Sequence, residues 1–159
     1  EGSGNPGTTN VLRTLGKKAA AVTLIIDILK GAVPVIIGAF AGPVFAFGCG
    51  TMAMIGHVWP FQFKFKGGKG VATGIGVVLA VNPILGLMLL VIFAAVVAIT
   101  RYVSLGSCIA AFVMPALAIV LVPDFFWFAV IIAAIIIIKH RANLARIVRG
   151  EESKLSFSK

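Results

Sequence analysis

Apolar residues run along this chain in long unbroken stretches, 19–40, 44–58, 71–81, 84–100, 103–122 and 125–138, separated by short polar punctuation. The runs are continuous, which predicts helices and not the two-residue alternation of membrane barrel strands. Breaks fall at Gly42-Pro43, Asn82-Pro83, Arg101-Tyr102 and Pro123-Asp124. Several runs fall short of the roughly 20 residues that a full bilayer crossing takes. The expected fold is therefore a compact all-α integral membrane protein, a multi-helix bundle with about six spans that thins the bilayer locally. Residues 1–159 are expected to form a single membrane-embedded domain. The spacings Gly38-x3-Gly42 and Gly70-x3-Gly74 predict close helix contacts.

Composition agrees. The chain is 60% hydrophobic and 12% charged, about half the charged share of a soluble domain. Lipid admits only helices or closed barrels, because backbone polar groups must pair internally. A net charge of +9 would suggest nucleic acid for a soluble chain. Here the basic residues flank membrane segments, so no nucleic-acid partner is expected. Cys49 and Cys108 lie inside apolar runs and read as reduced core thiols.

Charge also decides how the chain crosses. Lys and Arg cluster at Arg13, Lys17 and Lys18, at Lys64, Lys66 and Lys69, and at Lys139, Arg141, Arg146, Arg149, Lys154 and Lys159. Residues 71–100 could be one tilted helix or a hairpin bent at Asn82-Pro83. Only the hairpin puts all three clusters on one side, and the positive-inside rule makes that side the cytoplasm. The first arm of such a hairpin is short enough to be only partly inserted.

Polar residues at membrane ends carry the candidate chemistry. Segment 56–73 packs Lys64, Lys66 and Lys69 among Gly67, Gly68 and Gly70. Lysine supplies point charge and glycine lets backbone approach a ligand, which suits a phosphate. Anionic lipid is an alternative partner for Lys64 and Lys66. It suits Lys69 poorly, because the surrounding glycines sacrifice helix stability. Gly68-Lys69 is no Walker loop, since residue 70 is Gly and residue 63 is Phe. The opening Gly2-Ser3-Gly4-Asn5-Pro6-Gly7 matches G-x-G-x-x-G, but no strand precedes it. Its donors, with Thr8, Thr9 and Asn10, sit at a predicted helix start that attracts anions, and Arg13 shares a face with Asn10. His140, Asn143 and Arg146 line one face of a helix that continues out of the last span.

Asp27 and Lys30, three residues apart in an apolar run, read as a buried pair supporting the site from behind. His57 reads as a structural hydrogen bond. No H-x4-D acyltransferase motif is present, and the acids Glu1, Asp27, Asp124, Glu151 and Glu152 are scattered. Neither a metal site nor a cofactor is expected.

Together these segments resemble the bacterial acyl-phosphate:glycerol-3-phosphate acyltransferase family, PlsY. The first is similar over residues 2–13, the second over Gly56-His57 to Pro60 and Phe65-Lys66-Gly67-Gly68-Lys69-Gly70-Val71-Ala72-Thr73, the third over His140-Arg141-Ala142-Asn143-Leu144-Ala145-Arg146, with Gly150 and Glu151 beyond. Asp27-x2-Lys30-Gly31 and residues 101–107 add to the likeness. The family begins with one more membrane helix, so this chain is expected to be part of a seven-span protein.

The resemblance implies acyl transfer from acyl phosphate to the sn-1 hydroxyl of glycerol 3-phosphate, giving lysophosphatidic acid and phosphate. This is the first acylation of phospholipid synthesis. It implies a multi-pass location in the bacterial inner membrane, with site loops on the cytoplasmic side and membrane lipid as surroundings. Catalytic residues would be His140, Asn143, Lys69 and Ser3. Substrate contacts would come from Ser3, Gly4, Asn5, Thr9, Asn10, Arg13, Lys66, Gly67, Gly68, Lys69, Gly70, Ser104, Ser107, His140, Asn143 and Arg146. Either His140 or a substrate phosphate oxygen would take the hydroxyl proton. The competing reading is a transporter or flippase for a phosphate-bearing solute, which should show inverted repeats and helices broken near mid-membrane.

Overall fold

The structure is a computed structural model that describes residue 2 and residues 4–155. Ser3 and Lys159 lie outside the described residues. Contacts divide the chain into two compact units, Glu1–Val81 and Asn82–Lys159. The first holds α1 (Thr8–Ala39), α2 (Pro43–Val58) and α3 (Val71–Val81). The second holds α4 (Pro83–Thr100), α5 (Val103–Leu121), α6 (Phe126–Lys139) and α7 (Arg141–Val148).

The helix ends follow the local chemistry. Gly42 takes φ 115° ahead of Pro43, the first residue of α2. Asn82 leaves the helical region, and its side chain accepts from Leu85 N at 2.9 Å, with Pro83 opening α4. Both are standard starts, since proline lacks a donor that the first turn could not use. α1 begins at Thr8, at the helix start predicted from the donors around Thr8, Thr9 and Asn10, and runs on into the apolar stretch with one interruption at Gly16 (φ 83°). One boundary differs from expectation. The last helix does not run straight on: it stops at His140 (φ −97°, ψ 0°), and α7 leaves α6 at 53°.

Among the described residues four helices are long and apolar enough to cross a membrane, and the bent α6–α7 pair makes a fifth. α3, at 11 residues, is the short arm. Large apolar side chains such as Phe40, Val91, Ile99, Phe112 and Trp127 face outward, as lipid solvation permits.

In lipid, apolar burial does not drive helices together; close packing does. In the first unit α1 and α2 run antiparallel. A Cβ at Gly38 would meet Phe45 O at 2.7 Å, and one at Gly50 would meet Val35 at 2.5 Å. Asp27 then stands opposite His57, so the start of α1 projects past the end of α2. α3 crosses α1 where Gly31 abuts the Thr73 carbonyl and Gly76 abuts the Ile28 carbonyl. Of the predicted small-residue pairs, Gly38 makes a close crossing and Gly70 abuts Met54, while Gly42 has open space around it. In the second unit α5 packs on both α4 and α6, with Gly106 set against Phe93 and Val97.

Candidate functional site

The antiparallel register brings Arg13, Lys17 and Lys18 and the lysine loop to one end of the first unit. After α2 the chain turns at Pro60, makes a 3-10 turn at Phe61–Phe63, and passes through Lys64 and Phe65 with φ of 51° and 60°. Left-handed backbone costs about 1–2 kcal/mol at each non-glycine residue. Bonds from Phe65 N to Pro60 O (3.0 Å) and Lys66 N to Phe63 O (3.0 Å) offset that cost, as does an edge contact between the Phe61 and Phe65 rings.

The loop then folds back along α2. Gly67 N donates to Val58 O and Gly68 N to His57 O, each at 3.3 Å. These glycine N–H groups therefore go to helix carbonyls. Their lack of a side chain serves packing: a Cβ on Gly67 would strike the His57 carbonyl, and one on Gly68 the His57 ring. Gly70, at φ 79°, starts α3, accepting from Gly74 N at 2.7 Å. This end also carries the exposed Lys66, the half-buried Lys69 and the first turn of α3, whose N–H groups have no intrahelical acceptor.

Behind the loop sits a buried carboxylate. Asp27 Oδ1 lies 3.2 Å from Lys30 Nζ and 3.4 Å from His57 Nδ1. A carboxylate only accepts, so Nδ1 carries the hydrogen. The expected Asp27–Lys30 pair and the expected structural histidine are one cluster, but only Asp27 is buried: the Lys30 side chain reaches out and is exposed.

Before α1, Asn5 Oδ1 accepts from Gly7 N at 2.8 Å, an Asx turn that leads into the helix. Gly4, Asn5, Pro6, Asn10, Val11, Thr14 and Leu15 line a recess of about 320 Å³. At the start of α1, Thr8 Oγ1 is buried with no hydrogen-bond partner among the described residues. Thr9 and Asn10 are half-buried and Arg13 is exposed.

The second unit gathers the rest around Glu152. Its Oε1 accepts from Ser104 Oγ (2.9 Å) and Asn143 Nδ2 (2.6 Å), and its Oε2 from Arg146 Nε (2.7 Å). α7 ends by bonding Glu151 N to Arg146 O and Gly150 N to Ile147 O, with Gly150 at φ 72°. This is a Schellman turn, and it returns the chain onto its own helix. Leu155 N to Arg101 O, and Lys154 over the Tyr102 ring, hold the segment beyond. Burial pushes the Glu152 carboxyl up, but the hydrogen bonds from Asn143, Arg146 and Ser104 outweigh it and hold the pKa below its ordinary value.

His140, buried at the α6–α7 bend, points Nδ1 at Ile136 O at 2.8 Å. A carbonyl cannot donate, so Nδ1 holds the hydrogen and the neutral ring's lone pair is on Nε2. Ser107 donates to Val103 O at 2.8 Å, within its own helix. Glu152 escaped the sequence reading, which counted it among scattered acids. The available signal was Gly150, a helix-stop residue followed at once by acid.

These features define a multi-pass helical membrane protein whose units each carry a cluster of polar side chains at a helix end. The chain belongs to the glycerol-3-phosphate acyltransferase family, whose model matches residues 1–150. It is 45% identical to the glycerol-3-phosphate acyltransferase of Thermoanaerobacter sp. (strain X514) over 97% of this chain and 79% of that one. It is also 45% identical to that of Clostridioides difficile (strain 630), over 100% and 82%. Crystal structures of PlsY (YgiH), an integral membrane glycerol 3-phosphate acyltransferase, are similar in fold. The glycerol 3-phosphate form has TM-score 0.93 at 38% identity, covering 98% of this chain and 80% of that one. The lysophosphatidic acid form has TM-score 0.92 at 37% identity, covering 97% and 81%.

Proposed function

We propose that this acyltransferase moves a fatty acyl group from acyl phosphate to the sn-1 hydroxyl of glycerol 3-phosphate, releasing lysophosphatidic acid and phosphate at the cytoplasmic face of a bacterial inner membrane. The observation that carries the reading is the pair of related crystal forms, one holding the acceptor and one the acylated product. The basic groups of this chain support the cytoplasmic placement through the positive-inside rule.

An acyl phosphate is already activated, so no protein nucleophile is needed. Catalysis then rests on positioning and charge stabilisation. Lys69 and Arg13 neutralise phosphate, with Lys66, the N–H groups of the first turn of α3 and the residues 4–10 segment around them; the Gly67 and Gly68 N–H groups, expected to bind substrate, are instead taken by the Val58 and His57 carbonyls. Asn143 and Arg146, oriented by Glu152, hold the reacting groups together with Ser104, and Ser107 shapes the helix beneath. A phosphate oxygen of a substrate takes the hydroxyl proton, while His140 and Asn143 orient it.

Purified protein given acyl phosphate and labelled glycerol 3-phosphate should form lysophosphatidic acid without added metal. No product would defeat the reading, and a carrier would instead move label across a vesicle wall. His140→Gln keeps polarity but cannot take a proton. Substantial turnover with an unchanged pH profile is expected; collapse of kcat with binding intact would make His140 the base.

A further inference from the structure

His57 meets the lysine loop twice. Its carbonyl accepts from Gly68 N, and its ring lies where a side chain on Gly68 would be, with Cε1 2.9 Å from a Cβ built there. The opposite ring nitrogen faces Asp27 at 3.4 Å, and Asp27 is itself held by Lys30 at 3.2 Å. The ring is therefore fixed from α1 on one edge and touches the loop with the other. Residue 69 follows directly, with Gly70 seated against Met54 of the same helix. Lys69 is thus carried on a short piece of chain whose two flanking residues both rest on α2.

We propose that Asp27 and His57 are positioning residues: Asp27 locks the His57 ring, and the ring is the seat on which Gly68 rests, setting where Lys69 presents its ammonium to a substrate phosphate. This rests on the reading that Lys69 contacts glycerol 3-phosphate. The ring acts by shape and not by charge, and neither residue touches substrate. An imidazole at 57 demands glycine at 68; with the ring removed, a methyl at 68 has room. Asp27 matters because a histidine free to turn about its side-chain bonds gives no fixed seat, so loss of the acceptor should resemble loss of the ring.

The test is a cycle of four proteins: wild type, His57→Ala, Gly68→Ala and the double variant, each assayed for KM of glycerol 3-phosphate, for kcat and for thermal midpoint. His57→Ala and Gly68→Ala should each raise KM about tenfold or more, with a smaller effect on kcat. The double variant should be no worse than His57→Ala alone, because the methyl fills space the ring has left. Penalties that multiply in the double variant, or a wild-type KM in His57→Ala, would overturn the proposal. Asp27→Asn, which keeps an acceptor for Nδ1, should fall between wild type and Asp27→Ala; equal loss in both would overturn the locking role. Coupling that appears in thermal midpoints but not in KM would show a merely structural contact. A wild-type protein that makes no lysophosphatidic acid would instead defeat the functional reading, and the thermal cycle would still report whether ring and Gly68 are coupled.

Discussion

Two segments, the loop after α2 and the turn after α7, each bring polar groups to the end of an apolar helix, and they are held by different forces. The loop is held by shape: glycine backbone against a helix end, with N–H groups on the Val58 and His57 carbonyls. The turn is held by one carboxylate that collects Ser104, Asn143 and Arg146. Steric fit and backbone hydrogen bonds carry no charge of their own but are intolerant of one methyl. A carboxylate hub tolerates small shape changes but depends on its charge. The two segments should therefore fail under different insults.

The largest effect is expected from Gly67→Ala. Its methyl would strike the His57 carbonyl, which is helix backbone and cannot give way. Overpacking of this kind costs about 3 kcal/mol, a loss of roughly 100-fold in activity if the loop is displaced. Steady-state assay of the purified variant checks it, and near-normal kinetics would show that the loop is not held by shape.

Glu152→Ala comes next. It removes the shared acceptor of three donors and leaves Asn143 buried without it. A loss of about 2 kcal/mol, or roughly 30-fold in activity, is expected. Glu152→Gln keeps an acceptor for Ser104 and Asn143 but turns an amide toward Arg146, and should lose less. Equal loss in both would mean that charge, not the hydrogen-bond pattern, is what the hub supplies.

Lys69→Ala and Arg13→Ala sharpen the comparison from the ligand side. Each removes one charge-assisted contact to phosphate, worth about 1.5–3 kcal/mol, so activity should fall about tenfold or more while the protein still inserts and purifies. Unchanged kinetics for glycerol 3-phosphate in both would remove the loop from the binding site.

The same contrast explains what the sequence could reveal. Pro43, Asn82-Pro83 and Arg101 are local stop signals, and the helix ends fall there. The start of α1 at Thr8 lies outside the apolar run, and the hydrogen-bonding residues Thr8, Thr9 and Asn10 were what marked it. The bend at His140 has no glycine or proline to announce it. The glycines of the loop drew notice as phosphate-cradle residues, yet their geometry is explained by His57, a residue earlier in the same segment. The Asp27–His57 contact spans two helices and left no local trace. Glu152 reaches Asn143 only through the turn at Gly150, so counting acids along the chain could not expose it.

Acid should separate the two regions most gently. Glu152 has a folded-state pKa below its ordinary value. Its contribution to stability is then fully present above the unfolded value and is lost as pH falls below it and through the folded one. The hydrogen bonds of the loop join backbone groups that do not titrate in that range. Hydrogen exchange measured at pH 6 and pH 4, corrected for the intrinsic rate, should show faster exchange at pH 4 for peptides spanning 149–155, including the Leu155 amide that bonds Arg101 O. Peptides spanning 60–70 should keep their protection. The Glu152→Gln variant should show no such pH step at 149–155, since it has no carboxyl to protonate. A step of equal size in the variant would assign the acid sensitivity to another group and remove the carboxylate as the hub of that turn.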